Sequence, residues 1–141
     1  MRVDHTAPVL VVDDQSIMVD LTRRILSRLG FEQIDYESDG NQALARLRSR
    51  DYQLVICDMH MQPVTGLQLL RSVRQDKALN GTRFLLMTGS VEPSTVSAAR
   101  QAGADAYLLK PFTPEQLKGK VVEIFSRYVR PTDGGPQKIG P

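Results

Sequence analysis

With 141 residues, 41% of them hydrophobic and 24% charged, the chain suits one globular domain with one core and is not composed like a disordered protein. A formal net charge of +2, with the basic residues scattered, is too weak to imply nucleic-acid binding. No apolar stretch approaches bilayer length, residues 1–8 hold no apolar signal segment and a single cysteine cannot form an internal disulfide, so a cytoplasmic setting without membrane insertion is expected.

Residues 1–7 form a polar lead-in in which His5 is expected to be exposed and idle. The first strand, residues 9–13, is Val9-Leu10-Val11-Val12 running into Asp13-Asp14. A helix follows, with Ser16 expected as N-cap, Gly30 as C-cap, and Ile17, Leu21, Ile25 and Leu29 as a buried stripe recurring every four residues. Residues 33–37 read as a second strand whose weak alternation suits a sheet edge. Ser38-Asp39-Gly40 is a turn, and the next helix runs to about residue 49 with Ala43, Leu44 and Leu47 inward. The arginines of both helices (Arg23, Arg24, Arg28; Arg46, Arg48, Arg50) are expected on solvated faces.

Residues 54–58, Leu54-Val55-Ile56-Cys57-Asp58, are four apolar residues that stop at a carboxylate, as in a strand buried on both faces. Cys57 reads as a small buried hydrophobe rather than a reactive thiol. After the loop 59–64, a third helix starts at Thr65 or Gly66, with Leu67, Leu70 and Val73 inward and Leu69 beside them. The fourth strand, residues 83–88, ends at Thr88. The fourth helix starts near Pro93, turns Val96 and Ala99 inward and stops at Gly103. The fifth strand, residues 106–109, is followed by Lys110. Thr113-Pro114-Glu115-Gln116 is a capped helix start, and the stripe is Leu117, Val121, Ile124 and Tyr128 or Phe125. Residues 131–141 lack periodicity and are expected to be a disordered tail. No further apolar pattern follows, so no DNA-binding or catalytic output domain is expected within this chain. The Gly/Pro-rich tail suits a natural end or a linker equally.

Five strands alternating with five helices predict an α/β fold: a doubly wound, five-stranded parallel sheet in a three-layer sandwich, order 2-1-3-4-5. In such sheets ligands sit beyond the carboxyl ends of the strands. Asp13, Asp14, Asp58, Thr88 and Lys110 would then converge. Two unit charges about 4 Å apart repel by about 4 kcal/mol at an effective dielectric near 20, so three clustered carboxylates need cations or protons. Hard oxygen donors favour Mg2+. Asp14 and Asp58 are expected to ligate it directly, with the backbone carbonyl of His60, and Asp13 to act through a metal-bound water. The imidazole of His60 is expected to be an exposed loop side chain, not a ligand. Lys110 would reach Asp58, Thr88 would offer a hydroxyl, and the N–H groups of Met59 and Gly89 would point into the same space. A carboxylate nucleophile among a metal, a lysine and a hydroxyl suits formation of an aspartyl-phosphate.

In order and spacing, Asp13-Asp14, Asp58, Gly66, Thr88-Gly89 and Lys110-Pro111-Phe112 resemble the receiver domain of bacterial two-component response regulators, most nearly the stand-alone chemotaxis type, over about residues 8–129. The resemblance implies a flavodoxin-like fold and a receiver domain over residues 8–130. It implies Asp58 as phosphoacceptor, Asp13 and Asp14 as the acidic pair holding Mg2+, and Thr88 and Lys110 as sensors of the phosphoryl group. It makes Tyr107 an aromatic switch and the Lys110–Pro111 bond cis. The implied partners are a sensor histidine kinase or histidine phosphotransfer protein, and a downstream protein recognising the face of helix four, strand five and helix five. The protein itself would be a monomer or a weak phosphorylation-dependent dimer, and a switch, not an enzyme. Gln62 and Pro63 depart from the family's usual loop proline position, and Thr65 stands where an acidic residue is usual. His60 and Ser90 occupy the variable positions beside the site. Two alternatives compete. A phosphatase working through an aspartyl-phosphate wants a second acid two residues after the nucleophile, where this chain has His60. A receiver whose binding ignores phosphate would have no use for the intact acidic and cationic set.

Overall fold

The computed structural model describes residues 4–90 and 92–126. Among these residues ten elements alternate: β1 (Val9–Val12), α1 (Ser16–Arg28), β2 (Ile34–Glu37), α2 (Gly40–Ser49), β3 (Leu54–Asp58), α3 (Gly66–Gln75), β4 (Arg83–Thr88), α4 (Pro93–Ala102), β5 (Ala106–Leu109) and α5 (Pro114–Ser126). All strand pairs are parallel, in the order β2-β1-β3-β4-β5. The expected architecture and strand order are therefore present. Tyr128 and the tail expected at residues 131–141 lie outside the described residues.

Alternation along each strand divides the core in two. Val9, Val11, Leu54, Ile56, Leu85 and Met87 face α1 and α5, meeting Ile25, Leu26, Leu117, Val121, Ile124 and Phe125. Leu10, Val12, Val55, Cys57, Phe84 and Leu86 face the other way, onto Ala43 and Leu47 of α2, Leu69, Leu70 and Val73 of α3, and Ala99 of α4. β1 and β3 are buried on both faces throughout, which is why both read as unbroken apolar runs. Thr65 and Gln68 form a reciprocal capping box at the start of α3. Thr113 and Gln116 make the same exchange at α5.

α1 corrects the expected stripe. Ile17 is 80% exposed and Leu21 38% exposed, while Val19, Thr22, Ile25 and Leu26 are buried. At about 3.6 residues per turn, each step of four advances roughly 40° around the axis. A run of three such steps therefore winds off any single face, and only its later members reach the sheet. Ser16 is also not the N-cap. That place is Gln15, which makes no side-chain cap bond. In α3 the inward residues are Leu69, Leu70 and Val73, with Leu67 only partly covered. Arg46, Arg48 and Arg50 lie exposed, as expected, and each meets a carboxylate there. Arg46 pairs with Glu37, and Arg50 is 2.7 Å from Asp35 at the β2 edge. In the last turn of α2, Arg48 is 3.2 Å from Asp76. The His5 ring packs on Phe31 with centroids 5.2 Å apart.

Across the back of the second layer, Arg74 of α3 gathers three segments. Its guanidinium donates to the carbonyls of Gly103, Asn80 and Thr82 and lies 3.1 Å from the Asp105 carboxylate, which in turn accepts from the Phe84 N–H. Gly103, at φ +100°, is the left-handed C-cap of α4, and a β-carbon there would meet Arg74 Nε at 3.0 Å.

Candidate functional site: an acidic pocket at the strand ends

Register builds the site. Val12 is level with Cys57, so the next residues, Asp13 and Asp58, leave neighbouring strands side by side. Thr88 is level with Leu109, so Lys110 emerges one step beyond it. One ligand atom from each of Asp13, Asp14 and Asp58 lies within 4.8 Å of the others; Asp13 and Asp58 are buried and Asp14 is exposed. The Lys110 ammonium reaches back across the sheet to 3.1 Å from Asp58 Oδ1 and 3.3 Å from Asp13 Oδ2. Burial pushes the Asp13 carboxyl above its usual range, and the neighbouring Asp58 adds to the rise; the Gln15 N–H and Lys110 pull the other way. Cys57 lies behind the site with its thiol donating to the Asp58 carbonyl at 3.2 Å, and burial raises it well above the ordinary thiol range. It is the inert, buried residue expected.

Gly66 closes the floor. A β-carbon on it would stand 2.2 Å from the Asp58 carbonyl oxygen. Glycine alone therefore lets α3 start this close to the strand that carries Asp58. At Gly89 a β-carbon would meet nothing within 4 Å. The Met59 N–H does not point into the pocket as expected. It donates to the Met87 carbonyl at 2.8 Å, extending the β3–β4 ladder by one bond. The Gln62–Pro63 and Lys110–Pro111 bonds are both cis.

Thr88 is fully buried, and its hydroxyl has two neighbours. His60 Nε2 is 3.2 Å away, and the Ser90 N–H donates to it at 3.1 Å. The exposed His60 side chain thus touches the site through Thr88. Tyr107 is half-buried and its hydroxyl donates to the Ser90 carbonyl, so a short chain of bonds joins Thr88, Ser90 and Tyr107. Burial holds the Tyr107 phenol above its usual range. The structure thus brings together Asp13, Asp14, Asp58 and Lys110, with Thr88 on the adjoining strand end and Tyr107 connected behind it. Sequence reasoning passed over Gln15, whose carboxamide oxygen is 3.3 Å from the Lys110 ammonium. Its one signal was position, directly after the acidic doublet.

The family model of the response regulator receiver domain matches residues 9–122. The chain belongs to that family. This receiver domain is 37% identical over 119 residues to the chemotaxis protein CheY of Pseudomonas aeruginosa, covering 84% of this chain and 96% of that protein. It is 35% identical to CheY-3 of Vibrio cholerae over 84% of this chain and 92% of the relative. Among solved structures, the receiver is similar to CheY4 of Vibrio cholerae (TM-score 0.79, 28% identity, 84% and 98% of the two chains). It is also similar to a response regulator from Chloroflexus aurantiacus (TM-score 0.81, 28% identity, 86% and 99%). These likenesses support a receiver of the chemotaxis type, a two-component phosphoacceptor. No helix among the described residues is long and apolar enough to cross a membrane.

The residues present suit a divalent metal. Three carboxylates against one ammonium leave two negative charges in a pocket whose acidic donors are all oxygen.

Proposed function

We propose that the chain is a phosphorylation-dependent switch of the cytoplasm, with Asp58 as the phosphoacceptor. The single observation that carries this reading is the Lys110 ammonium held between Asp58 and Asp13 beside a three-carboxylate cluster. In the step itself, an Asp58 carboxylate oxygen attacks the phosphorus of a partner's phosphohistidine. The P–N bond breaks, its electron pair stays on the imidazole nitrogen, and that nitrogen takes up a proton from solvent as the neutral imidazole leaves. Lys110 draws charge from one phosphoryl oxygen and Thr88 turns its hydroxyl proton to another. Asp14, Asp58 and the His60 carbonyl, with Asp13 through a water, would hold Mg2+, which would supply further positive charge to the phosphoryl oxygens.

Withdrawal of Thr88 toward the phosphoryl group pulls on the Ser90 N–H and, through the Ser90 carbonyl, on the Tyr107 hydroxyl. The readout is a change in the face of α4, β5 and α5, where Leu109 and Val122 are exposed and available to a protein partner. The phosphodonor is a sensor histidine kinase or a histidine phosphotransfer protein, and the switch is a monomer or a weak phosphorylation-dependent dimer. His60, two residues after Asp58, brings no second acid to the pocket and faces Thr88, so nothing favours a phosphatase.

Incubation with Mg2+ and acetyl phosphate tests the reading. An acid-stable, base-labile adduct maps to Asp58 and is absent in Asp58→Asn. Lys110→Ala retains some adduct and loses the change in partner binding. An adduct on another residue overturns the assignment.

A further inference from the structure

The Lys110 ammonium has three N–H donors and three oxygens around it: Asp58 Oδ1 at 3.1 Å, Asp13 Oδ2 at 3.3 Å and Gln15 Oε1 at 3.3 Å. Two belong to buried carboxylates that cannot turn away without stranding a charge. The third belongs to a neutral, exposed carboxamide. Gln15 is the N-cap residue of α1, a place usually held by a short side chain that bonds the helix, and its own side chain makes no such bond. Its backbone N–H donates instead to Asp13 Oδ1 at 3.0 Å. The residue is thus tied to the acidic pocket by its main chain, and its side chain serves Lys110 rather than the helix.

We propose that Gln15 is a positioning residue for phosphoryl uptake, occupying the third donor of Lys110 at rest and yielding it to the incoming phosphoryl oxygen. The proposal rests on Asp58 being the phosphoacceptor. Of the three acceptors, the carboxamide is the one whose loss leaves no buried charge. The bond that replaces it is charge-assisted on both sides. A carboxylate at this place would grip the ammonium more firmly and repel the phosphoryl group. A side chain of the same reach without an acceptor would leave the donor free.

The full chain with Gln15, Gln15→Met and Gln15→Glu is compared at saturating Mg2+. Beryllofluoride affinity is read by fluorine NMR, and the rate of Asp58 adduct formation is measured with acetyl phosphate. Gln15→Met binds beryllofluoride more tightly and forms adduct faster, by about two- to tenfold, the range of one hydrogen bond. Gln15→Glu moves both quantities the other way, with unchanged unfolding midpoints in both variants. Gln15→Leu takes the place of Gln15→Met should the latter not fold. A ranking that is flat or reversed overturns the role of Gln15. Absence of any Asp58 adduct in the unsubstituted protein overturns the phosphoacceptor reading instead, and this proposal with it.

Discussion

A β-carbon at residue 66 would stand 2.2 Å from the Asp58 carbonyl oxygen and 2.9 Å from the Met59 Cα, both backbone atoms with no rotamer to change. Gly66→Ala must therefore push the start of α3 away from the strand that carries Asp58. The expected cost is about 1–3 kcal/mol, as for an overpacked core, measured as a lowered urea midpoint, and adduct formation on Asp58 slows with it. Tyr52 offers a second test at this scale. Burial first, and then the bond its hydroxyl donates to Asp35, hold the phenol above its usual value. The neutral phenol is thus the form the fold favours. Its contribution is fully present below the unfolded phenol pKa of about 10 and is lost as pH rises through the higher folded value. Urea midpoints should fall on the alkaline side, and Tyr52→Phe should make that fall shallower.

At the scale of elements, α1 separates packing from recognition. Ile25 is 5% exposed in the core beneath α1 and α5, and Ile25→Ala should cost about 2–5 kcal/mol. Ile17 is 80% exposed, two residues on from Gln15, and Ile17→Asp should leave stability within about 0.5 kcal/mol. On the proposed function, Ile17, with Leu21 38% exposed one turn on, is placed to meet a protein phosphodonor. Ile17→Asp is therefore expected to slow transfer from a phosphohistidine donor while leaving labelling by acetyl phosphate unchanged. Equal slowing with both donors would place the effect in the pocket instead. The rotation of α1 was hidden in the sequence because both the helix's faces carry aliphatic residues. The series 17, 21, 25, 29 and the series 19, 22, 25, 26 are each periodic, and only the sheet chooses between them.

For the whole molecule, strands β3, β4 and β5 were legible to the residue because each is a short apolar run ended by a polar group. The convergence of Asp13, Asp14, Asp58 and Lys110 followed once the strand order was right. Contacts made by side chains that obey no pattern were not legible. Gln15 on Lys110 is one, His60 on Thr88 is another, and the bonds of Arg74 are a third. Arg74→Met would leave the carbonyls of Gly103, Asn80 and Thr82 short of a donor in a part-buried setting. Its expected cost is about 3 kcal/mol, checked by denaturation.

That arginine also settles how α4 can travel. The far end of the helix is bolted to α3 and to the entry of β5 through Gly103 and Asp105. Its near end begins at Glu92 without a side-chain cap, tethered to Ser90, the residue that links Thr88 to Tyr107. A rod pinned at one end pivots. On the proposed function, a pull at Ser90 is expected to swing α4 about its Arg74-held end rather than translate it, so that the outer surface of the domain turns like a gate on its post.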